Sequence, residues 1–135
     1  MKTAKIVMFI LSTLLINGCA SRSAQLLKSA EVSIYHGHND IALNQINKAI
    51  EIDQKAAPPL QARAHLYLRM NQRQQAISDL GKILELDPKS TQTYMTRGIM
   101  YSSDGMNDLA LKDFRKACEL GDESGCVFTL ELEKK

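Results

Sequence analysis

Three ungapped segments of 34 residues, 23–56, 57–90 and 91–124, repeat one another in register. A period of this length means stacked supersecondary units, each too small to bury its own apolar face alone. Position 8 of the unit reads Ala30, Ala64, Gly98, position 15 reads Gly37, Asn71, Gly105, and position 20 reads Ala42, Ala76, Ala110. The units close on Ile50-Glu51-Ile52-Asp53, Leu84-Glu85-Leu86-Asp87 and Cys118-Glu119-Leu120-Gly121. Small residues at positions 8 and 20 allow two helices of one unit to approach closely. Gly or Asn at position 15 predicts a helix stop with positive φ. Apolar residues at positions 20, 24, 27 and 28, as in Ala76, Leu80, Ile83 and Leu84, share one helix face. Pro58 and Pro59 suit a first helical turn, and Pro88 suits a helix end.

Positions 4, 11 and 24 are Leu60, Tyr67 and Leu80 in the second unit, Tyr94, Tyr101 and Phe114 in the third, and Leu26, Ser33 and Ile46 in the first. This spacing resembles the tetratricopeptide repeat. The resemblance implies an all-α, right-handed solenoid of three helical hairpins. Ser29 and Ser33 make the first unit the least apolar, which suits an end repeat. Residues 125–135 are expected to form a capping helix. Val127, Phe128, Leu130 and Leu132 would cover the last face, with Glu131, Glu133, Lys134 and Lys135 in water.

Ahead of the repeats stand Lys2 and Lys5, a mostly apolar run over 6–16, and then Asn17, Gly18 and Cys19. A basic start, a short apolar stretch and a small residue at the cut site compose a secretory signal peptide. As a helix the run reaches only about 16 Å, roughly half a bilayer core, so a permanent transmembrane anchor is not expected. Cysteine directly after the small residue resembles the lipobox of bacterial lipoproteins, with Ile16 and Asn17 where Leu and Ala or Ser are usual. The resemblance implies removal of residues 1–18, acylation of Cys19 with palmitate-type chains, and a linker over 19–22. Ala20 in place of a retention Asp implies the periplasmic face of the outer membrane of a Gram-negative bacterium. Without Lys2 and Lys5, the basic residues fall from 17 to 15 and equal the 15 acidic ones. A neutral domain carries no electrostatic footprint for nucleic acid.

With Cys19 taken by lipid, Cys118 and Cys126 remain as an even pair for an oxidising compartment. Residues 117–126 resemble the unit border of Sel1-like cysteine-rich repeat proteins, and that resemblance implies a Cys118–Cys126 disulfide joining one helix to the next. Two buried, reduced thiols at core positions are the other reading. His36 and His38 flank the turn of the first unit with no third ligand near them in sequence, so no metal site is expected. No Gly-x-Ser-x-Gly, Ser-x-x-Lys, His-Glu-x-x-His or phosphate-cradling glycine loop occurs. The chain is therefore read as a non-enzyme that needs no cofactor.

A surface is left to carry function. In tetratricopeptide solenoids the first helix of each hairpin lines a concave groove through positions 2, 5, 9, 12 and 13. Carried onto this chain, the groove takes Leu27, Glu31, Ile34 and Tyr35 from the first unit and Gln61, His65, Leu68 and Arg69 from the second. The third unit gives Gln92, Met95, Ile99 and Ser102. Members that clamp a C-terminal carboxylate place Lys, Arg and Asn there, a pattern that only Arg69 approaches. The mixed apolar lining suits an amphipathic helix or an extended peptide, with His65, Arg69 and Met95 on one shared surface. The expected function is a membrane-anchored adaptor for a protein or peptide partner in the envelope. The alternatives are a pilotin-like assembly factor for a type IV pilus or secretion secretin, and a self-assembling structural lipoprotein, a homo-oligomer paired through its terminal hairpins.

Overall fold

The computed structural model describes Gly18 and residues 22–134. Residues 1–17 of the expected leader, the expected lipidation site Cys19, and Ala20 and Ser21 of the expected linker lie outside the described residues, as does Lys135. The fold is all-α, and no strand occurs among the described residues. Residues 22–35 are helical (α1). There follow α2 (Asn39–Ile52), α3 (Ala57–Arg69), α4 (Arg73–Leu86), α5 (Thr91–Ser103), α6 (Asn107–Glu119) and α7 (Glu123–Glu133). Two compact units divide the chain, Met1–Leu66 and Tyr67–Lys135.

The turns follow from position 15. Gly37, Asn71 and Gly105 stand at φ 79°, 58° and 75°, the left-handed region that glycine and asparagine enter most cheaply. Around each, the same two bonds close the preceding helix. The Gly37 and His38 amides donate to Ile34 and Ser33, those of Asn71 and Gln72 to Leu68 and Tyr67, and those of Gly105 and Met106 to Ser102 and Tyr101. This double bond satisfies carbonyls that a helix end would otherwise leave unpaired. The longer connections work differently. Asp53 and Asp87 accept from the amides of Lys55 and Lys89 through their side chains, at 3.2 and 3.1 Å. Such Asx turns are a common use of aspartate outside helices.

Gly121 breaks this alternation. It occupies the place of Asp53 and Asp87 in the repeat, and it adopts φ 96°. The Gly121 and Asp122 amides donate to Cys118 and Ala117, so the third unit ends in the short turn used inside hairpins. Consequently α7 starts at Glu123, two residues before the expected 125, with Asp122 capping it through the Gly125 amide at 3.0 Å. The shift also changes which side of α7 faces inward. Phe128 stacks on Phe114 with ring centroids 5.1 Å apart, and Leu132 packs on the core, as expected. Val127 and Leu130, expected to cover the last face, are instead 52% and 57% exposed. The inward side is Gly125, Phe128 and Leu132, spaced three and four residues apart.

Within Met1–Leu66, the buried side chains include Ala30, Ala42, Ile46, Ala49, Pro59, Leu60, Ala64 and Leu66. Ser29 and Ser33, which look out of place in an apolar repeat, meet a partner on α2. Gln45 donates to Ser29 Oγ at 2.8 Å, and Ser33 Oγ donates to Gln45 Oε1 at 3.1 Å. In Tyr67–Lys135 the core holds Ala76, Leu80, Ile83 and Leu84 of α4 with Met95, Ala110, Phe114 and Ala117. Arg73 ties α4 to the end of α5 by pairing with Asp104 at 2.8 Å and donating to the Met100 carbonyl at 3.3 Å.

Cys118 near the end of α6 and Cys126 in the first turns of α7 sit at disulfide distance, with Cα atoms 4.7 Å apart. Their approach depends on Gly125 between the same helices. A Cβ there would lie 2.9 Å from Ala117 Cβ, from the Cys118 amide nitrogen and from the Phe114 carbonyl. Two of those atoms are backbone and cannot rotate aside. Gly125→Ala gains up to about 1 kcal/mol of helix propensity but incurs overpacking of about 1–3 kcal/mol. A net fall in melting temperature is expected, together with faster amide exchange confined to α7.

Candidate peptide-binding groove

The expected groove positions fall on three helices. On α1, Glu31 and Tyr35 are exposed, Tyr35 at 86%, while Leu27 and Ile34 are half-buried. On α3, Gln61, His65 and Arg69 are exposed and Leu68 is half-buried. On α5, Gln92 and Ile99 are exposed and Ser102 is half-buried. Met95 is the correction. It is only 8% exposed and belongs to the cluster of Ala110, Phe114 and Ala117, against which Leu132 of α7 also packs. A side chain held there cannot share an open surface with His65 and Arg69. The repeat pattern marks which helix faces a neighbour, and α7 arrives where a plain 34-residue period does not put it.

What the structure brings together is a cavity of about 330 Å³ between α5 and α7. Ile99, Ser102 and Ser103 line one side, Phe128, Glu131 and Leu132 the other, with Phe114 at the base. Two expected residues, Ile99 and Ser102, are thus joined by three that sequence reading gave to a cap. Gly121 in place of aspartate is the signal that moves them. The Ser103 hydroxyl is spent on the Ile99 carbonyl at 2.9 Å. Among the described residues, the side-chain oxygens of Ser102 and Glu131 have no partner, and both residues line the cavity.

The opposite side of α5 differs in chemistry. A cavity of about 550 Å³ is lined by Tyr94, Arg97, Lys112, Asp113, Arg115, Lys116 and Glu119. Its charges are largely spent on each other. Arg97 Nε and Nη2 donate to the two Asp113 oxygens at 2.7 and 2.8 Å, a bidentate pair. Its guanidinium lies 5.9 Å from both the Tyr94 and the Tyr101 ring centroids. The hydrogen bond to Asp113 raises the Arg97 pKa against the opposing effect of burial. Lys116 pairs with Glu119 at 3.0 Å, and Arg115 pairs with Glu133 of α7. Arg97 and Asp113 occupy positions 7 and 23 of their unit, the positions held by Ser29 and Gln45 in the first. A polar clasp across the hairpin at these positions is a repeat feature that apolar periodicity does not reveal.

His36 and His38 are exposed in the α1–α2 turn, with Tyr35 edge-on to His36 at 5.3 Å. Among the described residues, no group of three or more His, Cys, Asp or Glu is placed to hold a metal ion.

The family model for the tetratricopeptide repeat matches residues 57–90 and 91–120. No curated protein matches the chain. Among solved structures, the first tetratricopeptide domain of Spaghetti (RPAP3), bound to the HSP90 peptide SRMEEVD, is 20% identical. That likeness covers 85% of this chain and 93% of the other, with a TM-score of 0.70. The Arabidopsis OM64 tetratricopeptide domain is 24% identical over 86% of this chain and 98% of its own, at a TM-score of 0.69. The Sgt2 tetratricopeptide domain from Aspergillus fumigatus is 17% identical over 83% and 77%, at 0.66. At such identities the likeness speaks for the fold. The chain is an all-α protein built from tetratricopeptide-type helical hairpins.

Proposed function

We propose that this chain is a lipid-anchored adaptor that holds an apolar-faced peptide or helix of an envelope protein between α5 and α7. The observation that carries this reading is the cavity itself, rimmed by the exposed side chains of Ile99 and Phe128. RPAP3, which has the same fold, is described with an acidic HSP90 peptide. The occupant here would differ in charge, because the lining holds Glu131 and no cation. An apolar segment carrying a basic residue opposite Glu131 is the better complement.

Anchoring rests on the leader and on Cys19. Two or three acyl chains hold a protein firmly where one gives only marginal attachment. Ala20 favours the periplasmic face of the outer membrane, a compartment that would also keep Cys118 and Cys126 oxidised.

A photo-crosslinker at Ile99 or Phe128 should trap the same partner in cells, and one at Lys112 should not. Ile99→Glu should weaken capture about tenfold, on the order of 1.4 kcal/mol, with helical circular dichroism and melting temperature unchanged. Adducts only from Lys112 would reject the groove. Cys19→Ser should move the protein out of the membrane fraction, and non-reducing mass spectrometry should find the Cys118 and Cys126 peptides linked. An unlipidated N-terminus or freely alkylated thiols would count against the envelope reading.

A further inference from the structure

The side of α7 turned away from the core carries a second pattern. Glu123, Val127, Leu130 and Lys134 are all exposed, Val127 and Leu130 by more than half. At 100° per residue these four fall within roughly 60° of arc, nearly opposite Gly125, Phe128 and Leu132. Neither Glu123 nor Lys134 makes an ion pair among the described residues. In α5 the corresponding side is closed by α6, whose Phe114 and Asp113 press on Gly98. Among the described residues, α7 has no such second helix.

The order of these residues is self-complementary. Glu123 and Lys134 are centred on the point between Phe128 and Thr129, and so are Val127 and Leu130. Two copies of α7 running antiparallel about that point set Val127 against Leu130 and Glu123 against Lys134, each contact made twice by the two-fold axis. The helix dipoles also oppose, which favours this direction over the parallel one. We infer that α7 is a docking surface for α7 of a second copy of this chain, with an apolar centre and an ion pair at each end. The stripe lies on a different side of α7 from the groove, so pairing leaves Phe128, Glu131 and Leu132 open to a peptide. A contact with four central apolar side chains is smaller than a standard interface, so the dimer is weak and reversible.

The test is sedimentation equilibrium of the full chain in density-matched mild detergent, over a wide range of concentration. A monomer–dimer equilibrium is expected. Leu130→Glu should raise its dissociation constant at least about tenfold. Glu123→Lys and Lys134→Glu should each raise it about three- to tenfold, and the combined charge swap should restore it to within about threefold of the parent. Helical circular dichroism checks that each variant is folded, and the charge variants decide the matter should Leu130→Glu unfold. A monomer at every concentration would overturn the inference and leave the stripe to a different protein. A dimer indifferent to Leu130→Glu and to the single charge changes, or a double swap weaker than either single, would overturn it as well.

Discussion

Replacing Phe114 with alanine should destabilise the protein by about 3–5 kcal/mol, a large fraction of a small domain's total stability. Phe114 is 2% exposed, the largest of the fully buried side chains, and residues of three helices converge on it. Met95, Ala110 and Ala117 surround it, and the Phe128 ring stacks on it at 5.1 Å. Gly98 is hydrogen-sized where it meets the ring, since a Cβ there would come within 2.7 Å of Phe114 Cε1. Truncation therefore opens a cavity shared by α5, α6 and α7, and the surrounding helices can close it only by losing their spacing. In urea the midpoint should fall with little change in slope. A loss under 1 kcal/mol would mean that α7 collapses into the gap and that its docking is far more plastic than its close backbone approach implies.

Removing the carboxylate of Asp113 should cost about 2–4 kcal/mol, far more than an exposed ion pair would. The Asp113 side chain is 4% exposed and that of Arg97 21%. Asp113→Ala leaves a partly buried guanidinium between two tyrosine rings with both donors unmatched. Changing both residues to apolar ones of similar volume, Arg97→Met with Asp113→Leu, should cost clearly less than Asp113→Ala alone, because no charge is then stranded. Equilibrium urea unfolding of the single and double variants separates these cases. If the double variant is the less stable, the pair contributes net stability rather than only avoiding a penalty.

The hairpins were legible because they depend on local chemistry. Left-handed residues at position 15, small residues at 8 and 20, and the apolar face of Ala76, Leu80, Ile83 and Leu84 each act within a turn or two of chain. Features set by contacts between helices were not. Met95 reads as a groove residue until Leu132 is known to pack on its cluster. Val127 and Leu130 read as core because hydrophobicity alone does not say which side of α7 turns inward. The one local clue was Gly121 standing where Asp53 and Asp87 stand, a change of turn type that shortens the third unit. The clasps Ser29–Gln45 and Arg97–Asp113 escaped because they sit at polar positions, 7 and 23, which a pattern of apolar residues passes over, even though Arg63 and Asp79 carry the same residue types as the latter there in the second repeat.

Those two clasps differ in more than sequence. Neutral hydrogen bonds between half-exposed side chains contribute little net free energy, whereas a bidentate ion pair flanked by tyrosines contributes more. Among the described residues, the hairpin of α1 and α2 shows only the former, while α5 and α6 add the latter, the Phe114–Phe128 stack and a cysteine contact to α7. In repeat arrays, opening spreads from the least costly end. Amide exchange should therefore grade along the chain, fast in α1 and slow in α6. Helix α1 would then open far more often than α6, while the cavity between α5 and α7 keeps its walls.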